Sequence, residues 1–296
     1  MSGVLVTGAN GFTGKHLCSA LALQGYDVHG ISRGDSTANC MHNIDLANIE
    51  ALVQILQDIR PQYVCHLAAI AHVVNDSPLS FYETNVLGTL NLLQAIDQAN
   101  VTPKKIVIAS SANIYGNPQK SIIDELTPAL PINHYGNSKL AMENMVQTWF
   151  QRLPIIITRP FNYTGPGQSE QFLIPKIVKH FVDKKSHIQL GNIDVVRDIS
   201  DVQAIVTSYI KLLGSDVAGS IVNLCSGVGH SIKDVIIMME HITGHTLKIT
   251  VNPAFIRAND IKQLIGSNLK LKSFIDVEPP TPMKEVLTKM YAVANA

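Results

Sequence analysis

Short runs of Val, Ile and Leu alternate along the chain with longer stretches whose apolar residues recur every three or four positions, the pattern of strands and helices taken in turn. Val4-Leu5-Val6-Thr7 predicts a first strand, residues 15–24 a helix closed by Gly25, and residues 27–32 a second strand. A third strand ends before Ile44-Asp45-Leu46, and the helix after it runs to Arg60, where Pro61 breaks the period. Residues 63–69 read as a fourth strand ending in small side chains. Residues 79–99 read as a helix with Leu87, Leu90, Leu93 and Ile96 on one face. A fifth strand at 105–109, a Pro-rich loop over 116–131, a helix over 132–150 and a sixth strand at 154–158 complete the first half. This alternation implies a parallel sheet covered by helices on both faces. After a turn-rich crossing from Arg159 to Gly167, the second half predicts fewer strands and more helix, at 172–183, 199–213, 231–241 and 283–292.

At 296 residues and 46% hydrophobic, the chain can fill one large core or two modest ones. Lys+Arg and Asp+Glu balance at 23 each, so there is no basic field to hold nucleic acid. Cys18, Cys40, Cys65 and Cys225 are widely spaced, which suits reduced thiols, and Cys40-x-His42 is too sparse for zinc, so no metal site is expected. No apolar run is long enough to span a bilayer and no leader precedes the first strand; a cytoplasmic protein is the expectation.

The candidate chemistry gathers at the ends of the predicted strands. Thr7-Gly8-Ala9-Asn10-Gly11-Phe12-Thr13-Gly14 lies at the first strand-to-helix junction. There Gly8, Gly11 and Gly14 would serve a tight turn, close approach of backbone N–H groups to a pyrophosphate, and helix-to-strand packing. The first two glycines stand one residue further apart than in the usual dinucleotide fingerprint. Ser32-Arg33 at the end of the second strand suits a 2′-phosphate and favours NADP(H); Asp35 on a ribose, with NAD(H), is the alternative. Asn10 and Phe12 in the turn, Asp45-Leu46, and Leu67-Ala68-Ala69 at the fourth strand's end are further cofactor candidates. Asn85 either faces the cofactor or caps a neighbouring strand from inside. His66 reads as a structural hydrogen-bonder. Ser110 and Ser111 follow the fifth strand, and either is placed to reach Tyr135. Tyr135 and Lys139 are four apart on one helix face, where a cation favours the phenolate; two solvated side chains are the alternative.

Three separated patterns, the TGxxGxxG turn, the serine after the fifth strand and Tyr-x-x-x-Lys, together resemble the extended short-chain dehydrogenase/reductase family, and the resemblance covers essentially the whole chain. It implies a doubly wound parallel Rossmann sheet with a smaller, mostly helical substrate-binding lobe. The expected division is residues 1–160 and about 195–226 for the NADP-binding domain, and about 161–194 and 227–296 for the lobe. It implies Ser111 as the hydroxyl that orients a substrate carbonyl, Tyr135 as general acid/base, and Lys139 as the residue that binds the nicotinamide ribose and lowers the tyrosine pKa. Ser111 is preferred to Ser110 because it matches the family's Ser-x-x-x-Tyr-Gly spacing. RPFNYTGPGQ at 159–168, VRDISDV at 196–202, NLCSG at 223–227 and RANDI at 257–261 are similar to the sugar-nucleotide branch, most of all to the GDP-4-keto-6-deoxy-mannose reductases. By that resemblance Asn162, Arg197 and Arg257 would hold a nucleotide diphosphate, with GDP favoured, and Asp260 a ribose or base.

Two departures matter. Dehydratases of this branch carry acidic residues just after the catalytic hydroxyl, where this chain has Ala112 and Asn113, neither of which transfers a proton. Near the C-terminus, Phe274-Ile275-Asp276-Val277 replaces an expected Gly-Trp. The expected activity is NADPH-dependent reduction of a nucleotide-linked 4-keto-6-deoxyhexose. A nucleotide-sugar 4-epimerase with retained cofactor and a non-catalytic NADP-sensing protein are the alternatives. Helices 79–99 and 132–150 suggest a homodimer.

Overall fold

The computed structural model describes residues 2–34, 40–71, 77–255 and 262–295. Its central sheet has seven strands: β1 (Gly3–Thr7), β2 (Asp27–Ser32), β3 (Met41–Asn43), β4 (Tyr63–His66), β5 (Lys105–Ala109), β7 (Ile155–Pro160) and β11 (Ser220–Leu224). They are ordered β11-β7-β5-β4-β1-β2-β3 and all pair in parallel. The order reverses between β1 and β4, so the crevice beyond their carboxyl ends is where a doubly wound sheet binds ligands.

Both faces of this sheet are covered. α2 (Ile49–Ile59), α4 (Gly88–Gln98) and α5 (His134–Gln147) bury Leu52, Leu56, Leu93, Ile96, Met142 and Val146 against one face. On the other face, α1 (Phe12–Leu23) and α7 (Val202–Leu213) bury Leu17, Leu21, Ile205 and Tyr209. Each such Leu or Ile contributes roughly 1.5–3 kcal/mol on removal from water. Caps fix where the helices begin: the side chains of Asn48, Asn133 and Asp201 accept from Ala51, Gly136 and Gln203 N–H. The helix expected over 79–99 is interrupted; after α3 (Leu79–Tyr82) a π-turn spans Glu83–Leu87 before α4 begins.

The second half holds more strand than its pattern suggests. β8 (Asn162–Thr164) lies in the turn-rich crossing, and Ile199 belongs to β10 (Val196–Asp201), so the helix expected from 199 begins at Val202. The loop at 116–131 contributes β6 (Ile122–Ile123), which pairs with β14 (Gln263–Gly266). β12 (Gly229–Ser231), β10, β14 and β6 form a second sheet with β8 attached to β10, and β9 (His187–Leu190) pairs β13 (Lys248–Val251). These strands are short and lack the apolar runs of the central sheet, so they do not stand out in sequence. Around them α6 (Leu173–Val182), α8 (Ile232–Thr243) and α10 (Met283–Ala294) close a separate core on Phe181, Val235, Met239 and Leu287. α9 (Leu269–Phe274) returns to the main sheet through Leu271.

A buried ion pair joins α5 to β7. Arg159 Nη2 donates to Glu143 Oε2 at 2.6 Å and Nε to Oε1 at 3.0 Å, with Glu143 fully buried and Arg159 nearly so. Removing one partner of such a pair strands a charge, whereas replacing both with apolar groups does not. Glu143→Ala is therefore expected to lose about 3–5 kcal/mol in urea unfolding. The Glu143→Leu/Arg159→Met double variant is expected to lose less than this single one; a double variant weaker than Glu143→Ala contradicts the reading.

Candidate active site

The crevice is floored by the glycine turn. Gly8 sits at φ +71°, which only glycine adopts readily, and a Cβ there would lie 2.7 Å from Ala68 N. A Cβ on Gly14 would overlap the Gly8 carbonyl, and one on Gly11 would press on the same oxygen at 3.1 Å. Gly11 caps α1 without any side-chain bond, so the helix presents backbone N–H groups and the positive end of its dipole at the crevice. Asn10 Nδ2 donates to Ser32 Oγ at 2.7 Å, tying the turn to the end of β2 beside exposed Arg33. Phe12 stacks on Tyr163, and the Thr13 and Tyr163 hydroxyls are 2.7 Å apart, which joins the turn to β8.

Leu67 N–H donates to Thr7 O and Ala68 N–H to Thr7 Oγ1, so the chain leaving β4 runs beside the turn, with Ala69 half-buried next to it. Asp45 is exposed and caps Ala47 N–H, while Leu46 is buried against the Gly88 backbone. Asn85, a candidate for the cofactor, is fully buried: its amide accepts from Ile70 N–H and donates to Ile70 O and Ser138 Oγ. It thereby clamps the loop after β4 to α5, the inward cap of the two readings. His66 bonds Thr7 Oγ1 at 2.7 Å and Thr89 Oγ1 at 2.8 Å, as a structural residue does.

Ser111, Tyr135 and Lys139 meet at the ends of β5 and α5. Lys139 Nζ donates to Ala109 O at 2.7 Å, two residues before Ser111. The Ser111 side chain lies beside the Tyr135 phenol and lowers its pKa. Burial pushes the phenol up to about 12, against the lowering by Ser111 and with a small further rise from Tyr163. Burial also brings Lys139 down to about 8, and Glu143 opposes this.

Asn162 and Arg197 lie on the paired strands β8 and β10: Asn162 Nδ2 donates across to Asp198 O at 3.4 Å, and Arg197 Nη1 to Val196 O of its own strand at 3.0 Å. Arg257 and Asp260 lie outside the described residues, as does Asp35. Tyr163 escaped sequence reading because β8 has only three residues. The alternation Asn-Tyr-Thr, which turns Tyr163 to the face opposite Asn162, was the available signal.

The donor set fits a dinucleotide. The glycine cradle admits a backbone-bound phosphate, and Ser110 Oγ, beside Ser111, is buried with no hydrogen-bond partner among the described residues. Among those residues there is no cluster of three metal-binding side chains and no helix long and apolar enough to cross a membrane.

A parallel doubly wound sheet with a glycine turn after its first strand and Ser111, Tyr135 and Lys139 beyond its fifth defines an enzyme of the extended short-chain dehydrogenase/reductase class. Within that class, a family profile described as GDP-mannose 4,6 dehydratase matches residues 5–290, and the chain belongs to this family. It is 34% identical to GDP-6-deoxy-D-talose 4-dehydrogenase of Aggregatibacter actinomycetemcomitans, over 97% of this chain and 96% of that protein. It is 31% identical to GDP-6-deoxy-D-mannose reductase of Pseudomonas aeruginosa, over 96% and 94%. The structure of RMD from Pseudomonas aeruginosa complexed with NADPH superposes with a TM-score of 0.87 at 29% identity, covering 100% of this chain and 98% of that one.

Burial brings His66 down to about 3, with the Lys139 charge adding to the effect, against 6.5 for a free imidazole. The unfolded chain takes up this proton first, so the histidine withdraws stability as pH falls from 6.5 towards 3, by about 2 kcal/mol at pH 5. His66→Gln is expected to shrink the difference between urea unfolding at pH 7 and pH 5. An undiminished difference contradicts the assignment.

Proposed function

We propose that the protein reduces the C4 ketone of a GDP-linked 4-keto-6-deoxyhexose with NADPH. The observation that carries the proposal is the pairing of a protonated Tyr135 with Ser111 beside a neutral Asn113, where elimination of water would need an acid or base. One relative is named a GDP-6-deoxy-D-talose 4-dehydrogenase and another a GDP-6-deoxy-D-mannose reductase, and a neighbour binds NADPH, which agrees with Arg33 at the end of β2.

In this reading Gly8, Gly11, Gly14 and the start of α1 hold the pyrophosphate, Asn10 orients Ser32 and Arg33 receives the 2′-phosphate. Bound NADPH supplies the hydride. Tyr135 donates its proton to the oxygen as negative charge develops there, while Ser111 donates a hydrogen bond to the same oxygen and keeps its own proton. Lys139, charged at neutral pH and anchored on Ala109 O, holds the nicotinamide ribose and supplies positive charge behind the phenol. Asn162, Arg197 and Arg257 take the diphosphate and Asp260 the nucleoside. Residues 1–160 and about 195–226 carry the cofactor and the remainder carries the sugar nucleotide. Exposed Leu79 and Leu87 on the helix ahead of α5 fit a homodimer, and four unpaired thiols fit a cytoplasmic protein.

Purified protein is expected to oxidise NADPH with freshly generated GDP-4-keto-6-deoxy-mannose and not with the dTDP analogue, followed by near-ultraviolet absorbance. Tyr135→Phe should lose about 10²- to 10⁴-fold in kcat while still binding NADPH. Turnover near wild type in that variant rules out its role as the acid.

A further inference from the structure

The polar atoms around Ser111 assign a task to a residue that the mechanism above leaves idle. Ser111 Oγ accepts two hydrogen bonds, one from Asn113 backbone N–H and one from Asn113 Nδ2, each at 3.1 Å. A hydroxyl offers two acceptor sites and one hydrogen. With both acceptor sites filled from one neighbour, the hydrogen of Ser111 is left to be given away, on the side facing Tyr135. We infer that Asn113 is a positioning residue that makes Ser111 an obligate donor to the reacting oxygen; the inference rests on the reductase reading for the identity of that oxygen.

The geometry is held on both sides. Ser111 is nearly buried on extended backbone and opens the 3-10 turn Ala112–Tyr115. The far end of that turn is locked, because buried Tyr115 donates to Asn223 Oδ1 at 2.7 Å and accepts from Arg159 Nη1 at 3.0 Å. From the other side α5 packs directly on Asn113: a Cβ on Gly136 would lie 2.7 Å from the Asn113 carbonyl oxygen. Gly136 adjoins Tyr135, so the backbone that carries the two bonds to Ser111 is in register with the phenol. Asn113 itself is exposed, at the mouth of the crevice.

The chemistry follows from the donor count. Two accepted bonds polarise a hydroxyl and strengthen the bond it gives. An oxyanion forming between Tyr135 and Ser111 then meets two donors, because Asn113 turns its Nδ2, not its acceptor Oδ1, to Ser111. A carboxylate at 113 would reverse this: it has the same shape, accepts only, would draw the Ser111 hydrogen back, and would place negative charge beside the developing alkoxide. Position 113 thus separates a site that stabilises an alkoxide from one that can move a second proton.

The test compares Asn113→Asp, Asn113→Ala and Ser111→Ala with NADPH and GDP-4-keto-6-deoxy-mannose. Because the side chain is exposed, both Asn113 variants are expected to fold. Asn113→Asp should lose at least about tenfold in kcat, approaching Ser111→Ala, whose lost donor is expected to cost about 10²- to 10³-fold. Asn113→Ala keeps the backbone bond and should lose only severalfold. NADPH affinity and KM should stay near wild type in all three. An ordering with the alanine variant worse than the aspartate, or a loss confined to KM or NADPH binding, overturns the proposal. The bond itself is read without turnover: in Ser111→Ala the Asn113 backbone amide loses its acceptor and should exchange its hydrogen faster, and unchanged exchange also overturns it. Wild-type protein that oxidises no NADPH with this sugar, while the exchange result holds, removes the reductase reading and upholds the hydrogen-bond assignment.

Discussion

The site depends on one buried ion pair. Glu143 lies one turn beyond Lys139 on α5, and Arg159 lies at the end of β7; together they remove two charges from water in the middle of the fold. That is costly unless the geometry is good and the remaining donors are used. Here they are used. Besides its bonds to the carboxylate, Arg159 Nη1 reaches Tyr115 OH and Glu125 O, with the guanidinium over the Tyr115 ring, and Glu125 Oε1 in turn accepts Asn223 N–H. One cation therefore fixes α5, β7, β11 and the turn after β5 relative to one another. Those are the elements that carry Tyr135, Lys139 and Ser111, so the spacing of the three residues proposed for catalysis is set by a charge pair that includes none of them.

A second carboxylate plays the matching part in the second sheet. Asp198 is fully buried on β10 and accepts from Ser226 N–H, Ser226 Oγ, Gly227 N–H and Gly266 N–H, at 2.6 to 3.3 Å. Burial raises its pKa and these four donors oppose the rise. The turn after β11 and the end of β14 are thereby hung from β10. Since Asn162 leans on the Asp198 carbonyl and Arg197 precedes it, the residues proposed for the diphosphate take their places from the same strand.

What the sequence made legible follows from how local each signal is. The glycine turn, the apolar strands β1, β4, β5 and β7, and the Tyr135/Lys139 pair are each encoded within a dozen residues, and periodicity or turn chemistry exposes them. β6, β8, β12 and β14 hold two to four residues each and exist because distant segments pair, so no local pattern announces them. Asn85 illustrates the same limit from the other side. Its position in a helix was readable, but whether its amide faces the crevice or Ile70 is decided by the π-turn that rotates it inward. Asn113 was readable as the absence of an acid; that both its N–H groups converge on one serine oxygen needed coordinates.

The two named relatives are called for opposite directions of redox chemistry on GDP-linked 6-deoxyhexoses, one a dehydrogenase and the other a reductase. Under the proposed mechanism the equilibrium belongs to the reactants, but the pH at which each direction runs belongs to Tyr135. In the protein alone the phenol holds its proton to about 12, so at neutral pH the acid needed to trap an alkoxide is already loaded. Oxidation must begin from the phenolate, and burial disfavours it. Ser111 acts against that burial, its side chain lowering the pKa of the phenol, and Lys139, which burial has brought down to about 8, remains mostly charged at neutral pH. Each of these groups stabilises negative charge, whether it rests on the phenolate or on the substrate oxygen. The direction the site favours is then a matter of which oxygen carries the charge when the proton is shared, and a Ser111 that can only donate serves both oxygens without holding a proton for either.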